Sequence, residues 1–260
     1  MLKIESLLRL TRADEYLKVL FLVFPLIFLI SPQNLFTYKS IVIFLANLFL
    51  TAFSYTFNDI EDAEDDYHDT VKRARNTITS KELTKNQSYS FSLLLLFTGL
   101  ILLYFISPIV FILGLVLALI GFLYSWKPVR LKAIPIIDLI SHVVFLGALQ
   151  FLVTYLAFRS LDLLVIPFLM IIIPYSLMNQ ISGELTDFKV DKTTKINNTV
   201  QKFGEFNLKW TLAILSVIVV AGFSVLIFTM PPENGIISLL ITLAIGVMAF
   251  FRLHAIISKL

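Results

Sequence analysis

Cysteine is absent from the 260-residue chain. This rules out a disulfide framework, a thiolate metal site and a cysteine nucleophile. Charge is scarce too: Asp, Glu, Lys and Arg make up 15% of the residues, against 58% apolar. Soluble domains carry about a quarter charged residues, so an ordinary soluble fold is excluded. No low-complexity linker and no separate soluble domain is evident. The net charge of +3 is no nucleic-acid footprint, and no nucleic-acid partner is expected; its distribution is what informs.

Long apolar runs fill the chain instead, with 24 phenylalanines among them. Eight runs approach or reach the length that crosses a hydrocarbon core of about 30 Å: 17–31, 38–57, 87–106, 108–124, 135–158, 161–181, 209–230 and 235–257. They are continuous rather than alternating, so helices are expected and not a barrel. Ser31-Pro32-Gln33-Asn34 reads as a turn after the first run, not as a leader cleavage site. The expected fold is all-α: a polytopic helical bundle in the lipid bilayer, about eight transmembrane helices around a central cavity, forming one domain over 1–260.

Basic residues orient this bundle, because cytoplasmic loops collect Lys and Arg. Of 21 such residues, only Lys39 and Arg159 fall on the opposite side. Both termini, and the long loops after the second and sixth spans, are therefore expected in the cytoplasm, with the protein in the cell's plasma or inner membrane.

Those two loops hold two acidic clusters: Asn58-Asp59-Ile60-Glu61-Asp62-Ala63-Glu64-Asp65-Asp66 and Gly183-Glu184-Leu185-Thr186-Asp187-Phe188-Lys189-Val190-Asp191. Asp59, Asp62 and Asp66 map onto Glu184, Asp187 and Asp191 by one constant shift of 125 positions. On a helix such triplets span roughly 60° of arc and so share one face. A single acidic run is usually a solvated face. Two in register, each directly after a membrane span, point to a divalent cation, and Mg²⁺ bridging to a diphosphate is the simplest partner. The shift also suggests two duplicated halves, roughly 17–124 and 135–257.

Cations follow each cluster. Lys72, Arg73 and Arg75 could hold phosphate oxygens as well as set topology, and Lys195 has the analogous place in the second loop. A third polar element runs from Tyr124 through Lys127 and Arg130 to Lys132; it is either a positive-inside turn or a second source of cations on the same membrane face. Asn47 lies eleven residues before Asn58, with Thr51 between, a polar stripe leading to the first motif. Asn179 and Gln180 precede the second motif similarly. Asp138 is either a helix cap or a substrate contact. His68, His142 and His254 lack partners at metal-ligand spacing and read as structural or surface residues.

Asn58-Asp59-x-x-Asp62-x-x-x-Asp66, the second Asp187-x-x-x-Asp191 and Lys72-Arg73-Ala74-Arg75-Asn76 together resemble the UbiA-type intramembrane prenyltransferase superfamily, over about residues 10–205. Tyr124-Ser125 with Arg130-x-Lys132 and Asp138 is similar to branches that prenylate carotenoids or chlorophyll precursors. Two departures stand out: Thr77 replaces a usual proline, and Glu184 an Asp or Asn. Relatives typically have nine spans, one more than the eight read here.

The resemblance implies a Mg²⁺-dependent enzyme that moves a prenyl group from a prenyl diphosphate donor to a lipophilic acceptor. Asp59, Asp62, Asp66, Asp187 and Asp191 would be the catalytic metal ligands. Asn47, Asn58, Lys72, Arg73, Arg75, Tyr124, Lys127, Arg130 and Lys195 would bind substrate. Two competitors differ in chemistry. Phosphoribosyl transfer to polyprenyl phosphate is disfavoured by the intact second aspartate pair. A divalent-cation transporter is disfavoured by span interiors that lack carboxylates near the midplane.

Overall fold

The structure, a computed structural model, describes residues 4–14, 16, 23–194 and 197–229, with residues 189–194 and 205–209 as backbone only. Ten helical segments follow in order: α1 Ile4–Leu10, α2 Val23–Ile30, α3 Tyr38–Asp66, α4 Thr70–Arg75, α5 Lys85–Tyr104, α6 Pro108–Ser125, α7 Ile137–Phe158, α8 Val165–Thr194, α9 Thr199–Phe203 and α10 Glu205–Thr229. No strand occurs among the described residues. Among the described residues, six of the helices are long and apolar enough to cross a membrane: α3, α5, α6, α7, α10 and α8 as far as Phe188. They correspond to the second through seventh predicted spans. The first predicted span is described only from Val23 onward, and the eighth lies outside the described residues, so eight spans are not established.

Local chemistry starts these helices where they start. Thr84 and Gln87 form a reciprocal capping box at the head of α5. Ser107 accepts from the Val110 amide ahead of Pro108, which opens α6. Each satisfies amides that would otherwise meet lipid or protein without a partner. Side chains such as Leu94, Phe97 and Ile101 on α5, Leu119 on α6 and Val217 and Phe228 on α10 are exposed and apolar. An outward apolar surface of this extent belongs in a bilayer.

One expectation is corrected here. The acidic clusters do not lie in loops: α3 runs without a break to Asp66, and α8 runs through the second cluster to Thr194. The helices persist because cations from neighbouring segments meet the carboxylates, as described below, and because the stacked carboxylate face leaves the backbone bonds intact. The segment after α3 is also not a plain loop. It turns at Asp69, whose carboxylate accepts from the Val71 and Lys72 amides and so starts α4.

Buried small residues let the helices approach closely. On α10, a Cβ at Gly222 would lie 2.9 Å from Ile171 Cγ1, 3.1 Å from the Met170 carbonyl carbon and 3.2 Å from the Ile171 amide nitrogen. Pro174 lies inside α8 and has no N–H for the Met170 carbonyl, so this contact sits where α8 is locally unsupported. Gly222→Ala therefore sets two effects against each other. Helix propensity gains about 1 kcal/mol, whereas overpacking costs about 1–3 kcal/mol. Two of the three contacts are backbone atoms that cannot rotate away, so a net loss of thermal stability is expected in detergent or nanodiscs. An unchanged or raised melting temperature would show that α8 and α10 can separate freely.

Candidate functional site

At the motif end of the bundle, α3, α6, α7 and α8 enclose a cavity of about 490 Å³. From the first motif, Asn58, Asp62 and Asp66 line it; from the second, Gly183, Glu184 and Asp187. The constant shift between the motifs thus becomes two helix ends facing one space. Lys72, Arg75, Tyr124, Lys132, Asn179 and Gln180, also singled out from the sequence, line it as well.

Asp62 is the most heavily engaged carboxylate. It accepts from Arg130 at 3.0 Å, from Asn58 at 3.0 Å and from Lys132. Arg130 also reaches Asp65 at 2.5 Å, while Asn58 Oδ1 accepts from Ser125 and Lys132. Farther out, Lys127 Nζ pairs with Glu64 and its amide donates to Glu61. The segment 127–132 is therefore clamped along the outer flank of α3 by charge. Burial pulls the Lys132 pKa down, and the adjacent Asp62 carboxylate only partly restores it. For Arg130, burial acts in the same direction but Asp62 and Asp65 prevail and raise its pKa.

Behind this face, Asp59 is almost fully buried and ion-paired with Arg12. Arg12 packs its guanidinium over the Tyr55 ring at 5.7 Å. Arg12 and Arg130 both adopt positive φ, 51° and 44°. A left-handed residue with a side chain costs about 1–2 kcal/mol, and each of these ends a turn from which its guanidinium reaches a motif carboxylate. Asp66 accepts from Asn76, which also donates to the Asp59 carbonyl. Across the cavity, Lys72 pairs with Asp187 at 3.2 Å. A cation following the first motif therefore belongs, spatially, to the second.

Other expectations are placed elsewhere. Asn47 is buried between α3 and α7, donating to the Ile43 carbonyl and to Thr154, and is not in the cavity lining. The polar stripe it begins joins two helices. Arg73 lies over the Tyr67 ring at 5.4 Å, and neither it nor Lys127 lines the cavity. The Asp191 side chain and Lys195 lie outside the described residues. Asp138 is fully buried and accepts from the Leu139 amide in the first turn of its own helix and from the Thr199 amide and hydroxyl at the start of α9, so it ties the two helix starts together. His142, which the sequence reads as structural or surface, lines the cavity beside Phe145. A π-helical stretch over Val143–Leu149 begins directly after it and carries Phe145, a register change that no periodicity in the sequence announces.

The sequence gives Arg12 and Asn76 no site role of their own, and Arg12 is legible there only as one topology charge among many. Glu184 carries a signal as the partner of Asp59 under the constant shift, Gln180 as part of the polar stretch before the second motif, and Lys132 as one cation of the third polar element.

A hard divalent cation fits the donors present. The carboxylates of α3 share one face, and Asp59 Oδ2 is buried without a hydrogen-bond partner. Among the described residues no three carboxylates converge into a closed ligand set. An ion here would keep few carboxylates and fill its other positions with phosphate oxygens and water, which is the habit of Mg²⁺.

A family model described as the UbiA prenyltransferase family matches residues 19–259. Curated protein sequences gave no match. Among solved structures, a UbiA homologue from Archaeoglobus fulgidus bound to GPP and Mg²⁺ superposes with a TM-score of 0.76 at 22% identity, covering 98% of this chain and 96% of that one. The same protein bound to Cd²⁺ gives 0.72 at 23% identity, covering 95% and 89%. A structure of digeranylgeranylglyceryl phosphate synthase in membranes gives 0.64 at 20% identity, covering 100% and 89%.

Proposed function

Because the chain belongs to the UbiA prenyltransferase family, we propose that it transfers a prenyl group from an allylic diphosphate to a lipophilic acceptor, an aromatic or quinone precursor or a carotenoid-like molecule, with Mg²⁺ and release of diphosphate. The observation that carries this reading is the meeting of both acidic helix ends, Lys72 and Arg75 around one cavity. A diphosphate and its counter-ions need that combination of carboxylates and cations.

In this mechanism Asp62, Asp66 and Asp187, with Asp59 and Asp191 beside them, would hold Mg²⁺. Bound there, the metal supplies Lewis-acid neutralisation of the leaving diphosphate. Lys72 and Arg75 take diphosphate oxygens, Arg75 through a fork that lysine cannot reproduce. The cavity keeps water from the allylic cation once the carbon–oxygen bond breaks. Tyr124 and Phe145 line the cavity, where an aromatic ring is worth roughly 0.5–2 kcal/mol toward a cation. The motif face is proposed to be cytoplasmic, as the distribution of Lys and Arg implies.

Purified protein in nanodiscs, given geranyl diphosphate and a panel of quinone, phenolic and carotenoid acceptors, is expected to release diphosphate only with Mg²⁺. EDTA should stop the reaction and added Mg²⁺ restore it. Single cysteines at 70 and 130 should be protected from an impermeant label in intact cells, and one at 34 should react. No metal-dependent release with any donor chain length would sink the catalytic reading. Labelling at 70 would sink only the orientation.

A further inference from the structure

Tyr124 sits in the last turn of α6, and its hydroxyl oxygen is held from one side. Gln180 Nε2 lies 3.0 Å from that oxygen and 2.8 Å from Glu184 Oε1. An amide NH₂ has two protons; the Glu184 oxygen takes one, and the other goes to the tyrosine oxygen. The Val200 amide donates to Glu184 Oε2 at 3.2 Å, so the carboxyl group that orients Gln180 is itself fixed. Tyr124 therefore accepts from Gln180, and its own hydroxyl proton must point elsewhere. Among the described residues nothing accepts it. The open direction is the cavity, which both Tyr124 and Gln180 line. A donor kept from bulk water without an acceptor is unfavourable, so this position suits an oxygen brought by a ligand. The surrounding wall is aromatic. The Tyr124 ring centroid lies 5.2 Å from that of Phe145 and 6.2 Å from that of His142, and all three line the cavity. Cations gather elsewhere: Lys132 and Arg130 at Asp62, Lys72 at Asp187, Arg12 at Asp59. The group behind Gln180 is the Glu184 carboxyl, which does not favour an anion beside it.

We propose that Tyr124, oriented by Gln180 and Glu184, donates a hydrogen bond to a neutral oxygen of the prenyl acceptor. The acceptor is then a ring-bearing apolar molecule with a ketone, phenol or alcohol group at this point, not a carboxylate or a phosphate. The inference rests on the prenyl-transfer reading above and narrows its acceptor class. It gives the aromatic end of the cavity to the acceptor and leaves the cation-rich end to diphosphate. A site built to bond a substrate oxygen rejects the analogue that lacks it, because the site's own polar group is then left unpaired. Tyr124 thus determines specificity and takes no part in breaking the carbon–oxygen bond.

Probe binding tests this without turnover. 2-Acetylnaphthalene, 2-isopropenylnaphthalene and 2-naphthoate have nearly one shape, and offer a neutral oxygen, no oxygen and a charge. Radiolabelled probes are bound to the full chain in nanodiscs, with Mg²⁺ and inorganic diphosphate present, and corrected for uptake by protein-free nanodiscs. The wild type is expected to bind the ketone saturably and about tenfold more tightly than either analogue, the scale of one hydrogen bond. Tyr124→Phe keeps the ring. It should bring the ketone to within about twofold of the hydrocarbon, while hydrocarbon affinity and the affinity for Mg²⁺ with inorganic diphosphate stay within about twofold of the wild type. The wild-type comparison stands even if the variant does not fold. No saturable ketone binding, equal wild-type affinities for ketone and hydrocarbon, or an undiminished ketone advantage in Tyr124→Phe overturns the assignment. So does a loss confined to diphosphate affinity, which would place Tyr124 on the donor. Naphthoate bound as tightly as the ketone overturns the neutral class. Each of these leaves prenyl transfer standing. Absence of metal-dependent diphosphate release from geranyl diphosphate by the wild type overturns the transfer reading itself.

Discussion

Asp62→Ala is expected to lower prenyl-transfer turnover by at least about a hundredfold, the scale on which removing one electrostatic contact to a developing charge acts. Two effects add. The substitution removes an oxygen donor from the proposed metal-binding face. It also deprives Lys132 and Arg130 of the carboxylate that both contact. Their side chains are only 13% and 20% exposed, so the 127–132 segment should loosen by on the order of 2 kcal/mol, below the range for a fully buried pair. Asp62→Asn separates the two, because it keeps the shape while discarding the charge. Turnover measured with saturating Mg²⁺, alongside thermal melting of both variants, checks this. Near-normal rates for Asp62→Ala would mean that the first motif is a solvated helix end after all.

Arg12→Ala is expected to be the most destabilising single charge removal at the site, on the order of 3 kcal/mol. Its partner Asp59 is 1% exposed, and one Asp59 oxygen already lacks a hydrogen bond. Loss of the guanidinium would strand a charge that water cannot reach. The double substitution Arg12→Ala with Asp59→Asn should recover a large part of that loss, since the stranded charge goes with it. Additive losses in the double variant would show that Arg12 acts through its stacking on Tyr55 and not through Asp59.

The Asp59 pair also shows where sequence reading stops. Asp59 was found from its spacing to Asp62 and Asp66, which needs only the helical repeat. Arg12 was counted as a topology charge, because nothing local marks a cation that will fold back onto a residue 47 positions away. Lys72 makes the same point from the opposite direction. Its place after the first motif suggested a partner there, yet it reaches Asp187, 115 positions on. Its register with Asn58 puts Asn47 on a polar stripe leading to the first motif, but the start of that stripe is satisfied by Thr154 on a packed neighbour. Helical phase says which residues share a face; it is silent on whether that face meets a cavity or another helix.

What the sequence determined by itself is what depends on local pattern. Continuous apolar runs in a chain with 15% charged residues demand membrane helices, because every backbone polar group in lipid must be bonded within its own segment. The skewed Lys and Arg count sets the expected orientation, and the repeated carboxylate spacing gives two one-sided acidic faces. The tertiary structure alone decided that those faces belong to uninterrupted helices and close on one cavity of about 490 Å³. It also decided which cation meets which carboxylate. Such pairings depend on where helices far apart in the chain come to lie. Their energies arise only once burial has removed the water that would otherwise screen each charge separately.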